Sequence, residues 1–181
     1  MRAGERVSVG TIIAELVSAD RLTLLPLTAE HSDEMAVVLA DPDLYTFTGG
    51  SPATPQELRA RYERWIAGSP DPAVSWCNWV IQLHSPRCLA GAVQATITIG
   101  ASSDESVAEV AWVVGLPWQG QGIATEAARA LIGWLGRLPV AAVIAHIHPR
   151  HDASAAVAAT AGLVPTGHLR DGEMTWCLAM P

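Results

Sequence analysis

The sequence predicts a single α+β domain with a largely antiparallel central sheet flanked by helices. Three observations lead there. Strand-type and helix-type runs occur in mixed order, which suits such a sheet better than repeated βαβ units. No internal repeat is found. The chain has 181 residues, half of them apolar, enough for one domain with a sizeable core.

The elements follow in order. The first 18 or so residues read as an extension, a strand or short helix, so the chain divides into 1–19 and 20–181. Residues 21–27 form a strand that ends at Pro26. Thr28 caps a helix that reaches about Ala40, and Asp41-Pro42 stops it. Residues 45–55, rich in Gly, Thr and Pro, form a loop. Thr54-Pro55-Gln56-Glu57 is a capping sequence with proline at the first helical position, and its helix reaches Ala67. Arg59, Arg61 and Arg64 lie along it as a solvated face. A turn at 68–73 leads to strands 75–83 and 89–99 around Ser85-Pro86. After a polar turn at 101–106 come a strand at 107–114, a helix at 126–138 and a strand at 140–148. Residues 152–161 form a short helix that Gly162 stops. Strands 164–169 and 174–179, hinged at Asp171-Gly172, complete the set.

Composition narrows the function. The net charge of −7 argues against a nucleic-acid surface, which needs a basic patch, and is compatible with a cationic amine substrate. The chain has no lysine, which excludes a Walker A loop, a PLP Schiff base and a lysine nucleophile. Cys77, Cys88 and Cys177 lack C-x-x-C spacing and read as reduced, mostly buried thiols rather than a disulfide frame or zinc site. No run reaches membrane-spanning length. The apolar stretch 7–17 is interrupted by Glu15, and no clean cleavage site follows it. The expected location is the cytoplasm, with no membrane partner.

The run from Trp118 to Ala127 carries the most information. It follows an apolar strand and opens a helix, and Gly120 and Gly122 clear side chains from the backbone. Free N–H groups and the helix dipole there favour an anion, so a phosphate-bearing ligand is expected. A dinucleotide fingerprint would need a third glycine where Thr125 stands. What remains is Q-x-x-G-x-A, at Gln119, Gly122 and Ala124.

This pattern resembles the pyrophosphate-binding motif of the GNAT superfamily of acyl-CoA-dependent N-acetyltransferases. The context "AEVAWVVGLPWQGQGIATEA" is similar to the RimJ/RimL branch, typified by ribosomal-protein N-terminal acetyltransferases. "ADRLTLLPLTAEHSDEM" resembles that branch's opening strand and helix, and "HPRHDASAAVAATAGL" its later cofactor-side helix. The three blocks stand in the family's order and span about Asp20 to Leu178.

The resemblance implies a GNAT-like fold with acetyl-CoA as cosubstrate, an amine acceptor and no metal. By it, Gln119, Gly120, Gln121, Gly122, Ile123, Ala124 and Thr125 present backbone amides to the pyrophosphate. Counting back from Gln119 puts backbone contacts to the pantetheine and thioester at Val114 and Trp112, with the Trp112 side chain also expected to wall the acceptor pocket. The loop at 45–55 corresponds to a region that borders that pocket. The tyrosine with which many members protonate the thiolate is absent, because its position holds Ala158. Ser154 matches the RimJ/RimL serine and is expected to protonate the thiolate or bond the cofactor. His151 replaces that branch's asparagine, a departure, and is taken as a polar contact to the cofactor.

Glu109 is the candidate general base, since the branch often carries a glutamate on this strand, although alternation puts it opposite Trp112. His84, His146 and His148 are other candidates. His146 and His148 share a strand face, but without a third ligand they read as ordinary strand residues. An edge strand near the C-terminus offers a homodimer contact, as in the superfamily. The competing reading is a non-catalytic acyl-CoA-binding sensor or partner module.

Overall fold

The computed structural model describes residues 11–100 and 105–181. The first ten residues and part of the expected polar turn at 101–106 lie outside them. Eight strands form one sheet: β1 (Val17–Ser18), β2 (Leu22–Pro26), β3 (Val74–Leu83), β4 (Leu89–Thr98), β5 (Val107–Val114), β6 (Ala142–Ile147), β7 (Val164–Arg170) and β8 (Glu173–Ala179). Among the described residues four α-helices accompany them: α1 (Ser32–Val38), α2 (Pro55–Ile66), α3 (Ile123–Leu135) and α4 (Asp152–Thr160). The strand order is β1-β2-β3-β4-β5-β6-β8-β7. Only β5 and β6 run parallel; every other neighbouring pair is antiparallel.

Strand alternation gives the sheet two covered faces. Trp79 and Ile81 point to a cluster with Leu131, Trp134 and Leu135 of α3. Val80 points the other way, to Met35 and Val38 of α1 and Leu58 and Tyr62 of α2. Trp79 and Trp134 meet edge to face with ring centres 5.0 Å apart, a favoured aromatic geometry. Thr54 caps α2 as expected: its hydroxyl accepts the Glu57 N–H, and the Glu57 carboxylate accepts the Thr54 N–H.

The described part of the N-terminal extension is a strap on the core. The Ile12 N–H donates to Ser75 Oγ at 3.0 Å. Glu15 accepts two indole N–H groups, from Trp79 on its carbonyl at 2.6 Å and from Trp134 on its carboxylate at 3.1 Å. These bonds satisfy the polar edge of two large buried rings, which would otherwise lose hydration without compensation.

Several boundaries move. Helix α3 starts at Ile123, not Glu126, because Gly122 takes a left-handed φ of 77° and serves as its N-cap. It ends at Leu135, not Leu138. Strand β6 is two residues shorter at its start and one at its end than the expected 140–148, so His148 leaves the strand and His146 and His148 do not share a strand face. His148 Nδ1 instead accepts the Arg150 N–H in the following turn.

Candidate active site

The site begins where β5 and β6 part. Their pairing covers only Val107–Ala142, Ala108–Val143 and Glu109–Ile144. Beyond Glu109, β5 keeps β4 on one side and has no described strand on the other. The Gly115 N–H donates to the Ala90 carbonyl on the β4 side. Alternation therefore turns the backbone of Val113 and Ala111 toward β4, and that of Val114 and Trp112 toward the opening. The two positions counted back from Gln119 thus have their peptide groups along the open edge.

The glycine turn closes the end of this opening. Gly120 and Gly122 have φ of 70° and 77°, values that a residue with a Cβ rarely adopts. Ile123, Ala124 and Thr125 form the first turn of α3, whose N–H groups have no carbonyl four residues back inside the helix. Gln119 and Gln121 brace the turn with their side chains. Gln119 Nε2 donates to the Val114 carbonyl at 2.9 Å, and Gln121 Nε2 to the Pro117 carbonyl at 2.8 Å.

One residue of this region was not singled out from the sequence. Arg21, just before β2, donates through Nε to Glu126 at 2.7 Å and through Nη1 to the Gln121 carbonyl at 3.0 Å. Its backbone N–H also bonds Glu126. The bridge neutralises the acid that sits in the first turn of α3. Nothing local in the sequence signals it, because the partners are about 100 residues apart. A cleft of about 520 Å³ lies beside the turn, lined by Arg21, His84, Pro86, Trp118 and Gln121 among others. His84 is held there by Thr23 Oγ1 and the Asp20 carbonyl, away from Glu109.

At the start of α4, His151 and Ser154 are joined. His151 Nδ1 accepts the Ser154 N–H, and its Nε2 lies 3.3 Å from Ser154 Oγ. An accepting Nδ1 leaves the proton of a neutral ring on Nε2, pointing at that hydroxyl. Burial lowers the His151 pKa below its ordinary value, and neighbouring His148 adds to this. The ring is half-buried. Phe47, from the loop before α2, packs against it at a tilt of 31° with centroids 4.4 Å apart and lies 5.2 Å from the ring of His148. The loop thus reaches the start of α4, a contact no local motif announces. Ala158, at the tyrosine position, is fully buried in the core.

Glu109 lies on the sheet face away from α3. Trp112 packs against the α3-side cluster, so its indole is core packing and does not wall the Glu109 face. Glu109 is half-exposed, with a carboxylate oxygen 3.7 Å from His146 Nε2 and 3.9 Å from Arg170 Nη1. Its register partner Thr96 lines a groove of about 100 Å³ with Trp65, Trp76, Asn78 and Gln94. Cys77 is buried, which pushes its thiol up to about 12, and all three cysteines are free. Among the described residues there is no group of three or more His, Cys, Asp or Glu side chains able to hold a metal. No described helix is long and apolar enough to cross a membrane.

Comparison with known proteins places this geometry. No curated protein matches the sequence. Among solved structures, the chain superposes on Mycobacterium smegmatis RimJ in complex with CoA-disulfide, with a TM-score of 0.77 at 18% identity, covering 91% of this chain and 87% of that one. It superposes on the ribosomal-protein-S5-alanine acetyltransferase of Vibrio fischeri with a TM-score of 0.75 at 16% identity, covering 91% and 96%. For an acetyltransferase from Agrobacterium tumefaciens the TM-score is 0.66 at 24% identity, covering 98% and 99%. At such identities the likeness is one of fold. The sequence itself matches the acetyltransferase (GNAT) domain family over residues 21–164. The chain therefore belongs to the GNAT acetyltransferases, enzymes that draw their acetyl group from acetyl-CoA.

Proposed function

We propose that the protein transfers the acetyl group of acetyl-CoA to a primary amine, a protein N-terminus or a small-molecule amine, by direct attack in a ternary complex. The observation that carries this reading is the parting of β5 and β6 beside the glycine turn. It leaves an open strand edge leading to a helix N-terminus. An extended amide-containing chain fits the edge, and its pyrophosphate fits the amides of Gly122 to Thr125. In this reading Val114 and Trp112 act through their backbones and Gly120 to Thr125 form the anion cradle, while the Gln119 N–H is already held by the Leu116 carbonyl.

The acceptor enters from the Glu109 face, whose groove is walled by indoles and amides. Glu109 takes the proton that the amine loses as its nitrogen bonds to the acyl carbon. The carbon–sulfur bond breaks, and the thiolate takes the Ser154 hydroxyl proton, which the serine regains from solvent water while the His151 Nε2–H donates a hydrogen bond to its oxygen. An α-amine has a pKa of about 7.7–8.0, so much of it is already neutral near pH 8. The need for Glu109 is therefore greatest at lower pH. Residues 20–181 carry the reaction in the cytoplasm, and the free edge strand β7, exposed along its whole length, is where a second copy would pair. Light scattering that gives a monomer mass would remove the dimer.

The test is acetylation of peptides with free Ala or Ser N-termini and of a panel of small amines, followed by thiol release. We expect turnover on an amine, with Glu109→Gln lowering kcat at pH 7 by about 10²-fold or more and by less at pH 9. Ser154→Ala should lower kcat with little change in KM for acetyl-CoA. The buried Ala158 in place of a tyrosine favours a second reading, an acyl-CoA-binding module without turnover. Saturable binding with no acetylation across the panel would support it.

A further inference from the structure

His146 has no role in the scheme above, yet its setting is specific. It lies on β6 two residues past Ile144, the last residue paired with β5, and alternation puts it on the same sheet face as Glu109. Its side chain is only 12% exposed. Its Nε2 is buried with no hydrogen-bond partner among the described residues. A buried ring nitrogen without a partner is costly and calls for a reason. The nearest charged atom is the Glu109 carboxylate oxygen, 3.7 Å away. That is too long for a hydrogen bond and short enough for one side-chain rotation to close it.

The other ring nitrogen determines which way the proton faces. His146 Nδ1 lies 3.3 Å from the Thr175 hydroxyl, a group that can donate or accept. An Nε2 lone pair facing a carboxylate would be repelled, whereas an Nε2–H is attracted. The low-energy arrangement has Thr175 donating to Nδ1 and Nε2–H aimed at Glu109. The charged side chain beside the carboxylate is Arg170, 3.9 Å away and largely exposed. The register neighbours of Glu109, Thr96 and Ile144, carry no charge.

We propose that His146, fixed by Thr175 as the Nε2–H tautomer, is a positioning residue that holds the Glu109 carboxylate at the parting of β5 and β6. This rests on the acetyl-transfer reading, in which Glu109 receives the amine's proton. Arg170, which is largely exposed, offers a competing pull outward. His146 supplies the buried, directional contact that keeps the carboxylate over the opening.

The test has two arms on the full chain. In the first, nitrogen-15 spectra of histidine-labelled protein report the tautomer, with His146→Gln used to assign the signal. The expected result is a neutral ring protonated on Nε2, whose Nε2 signal moves in Glu109→Gln. An Nδ1–H tautomer, or no response to Glu109→Gln, would overturn the proposal. In the second arm, acetylation of Ala- and Ser-initiated peptides is followed. His146→Leu should lower kcat by about 10- to 100-fold, as misplaced catalytic groups do, with KM for acetyl-CoA unchanged. His146→Gln, which keeps an N–H donor, should recover most of it. Equal activity in both variants, or a loss confined to KM, would overturn the role. Absence of turnover by the wild-type chain would defeat the amine-transfer reading instead, while the tautomer still decides whether His146 and Glu109 are paired.

Discussion

At the scale of single residues, Arg21 and Cys77 lead to separate predictions. Arg21 spans the Glu126 carboxylate and the Gln121 carbonyl, which fixes the turn and cancels an acid beside the anion cradle. Removing it frees Glu126 to repel phosphate. Arg21→Ala should weaken acetyl-CoA binding about tenfold, the effect of losing a charge-assisted bond worth about 1.5 kcal/mol. Arg21→Lys should not restore it, because an ammonium cannot span both acceptors. Calorimetry of the two variants checks this. Cys77 makes the second case. Its thiol, pushed up to about 12 by burial, holds almost no thiolate at pH 8. It should stay unlabelled by iodoacetamide in the native chain and react on unfolding, which mass spectrometry of digested protein reads directly.

At the scale of elements, caps and charges set local stability. Thr54→Ala opens the capping box of α2 and should cost about 1 kcal/mol, measured by urea unfolding. Helix α4 is capped by His151, whose pKa is lowered by burial. The His31 ring before α1 is lowered too, again first by burial. The unfolded chain therefore takes up these protons at higher pH than the folded one. Their contribution is complete above the ordinary value of 6.5 and is lost as pH falls below it through the lowered folded values. Urea midpoints should drop between pH 7.5 and pH 5.5, and less so in His151→Gln. These elements also show what was readable from sequence. The Thr54-Pro55-Gln56-Glu57 signature was legible because all its partners are adjacent. The start of α3 was read three residues late because the acid at Glu126 resembles a first-turn residue, while the cap is a left-handed glycine that sequence alone does not reveal. The contact of Phe47 with His151 and the Glu126–Arg21 bridge were not legible, since each joins residues about 100 positions apart.

At the scale of the whole molecule, a short parallel pairing inside an antiparallel sheet makes the site. The mixed order of elements foretold the sheet, and the glycine turn was legible as the segment that joins β5 to α3. The parting of β5 and β6 after Glu109 was hidden, because register is a property of two strands and not of one. The strap was hidden as well. Glu15 reads as a break in an apolar stretch, yet it accepts the N–H groups of Trp79 and Trp134 on the core. Glu15→Ala should leave the Trp134 N–H without an acceptor and cost about 1–2 kcal/mol, seen as a lower urea midpoint.

The central claim is that the Gly120–Gly122 turn and the open edge of β5 hold acetyl-CoA, and titration calorimetry tests it most directly. A side chain at Gly122 would meet a left-handed backbone and the Arg21 guanidinium, which would lie 3.4 Å from its Cβ. The wild-type chain should bind acetyl-CoA saturably at one site, and Gly122→Trp should not bind while keeping a native circular dichroism spectrum. A wild-type chain that fails to bind, or a folded Gly122→Trp that binds as the wild type does, would contradict the claim.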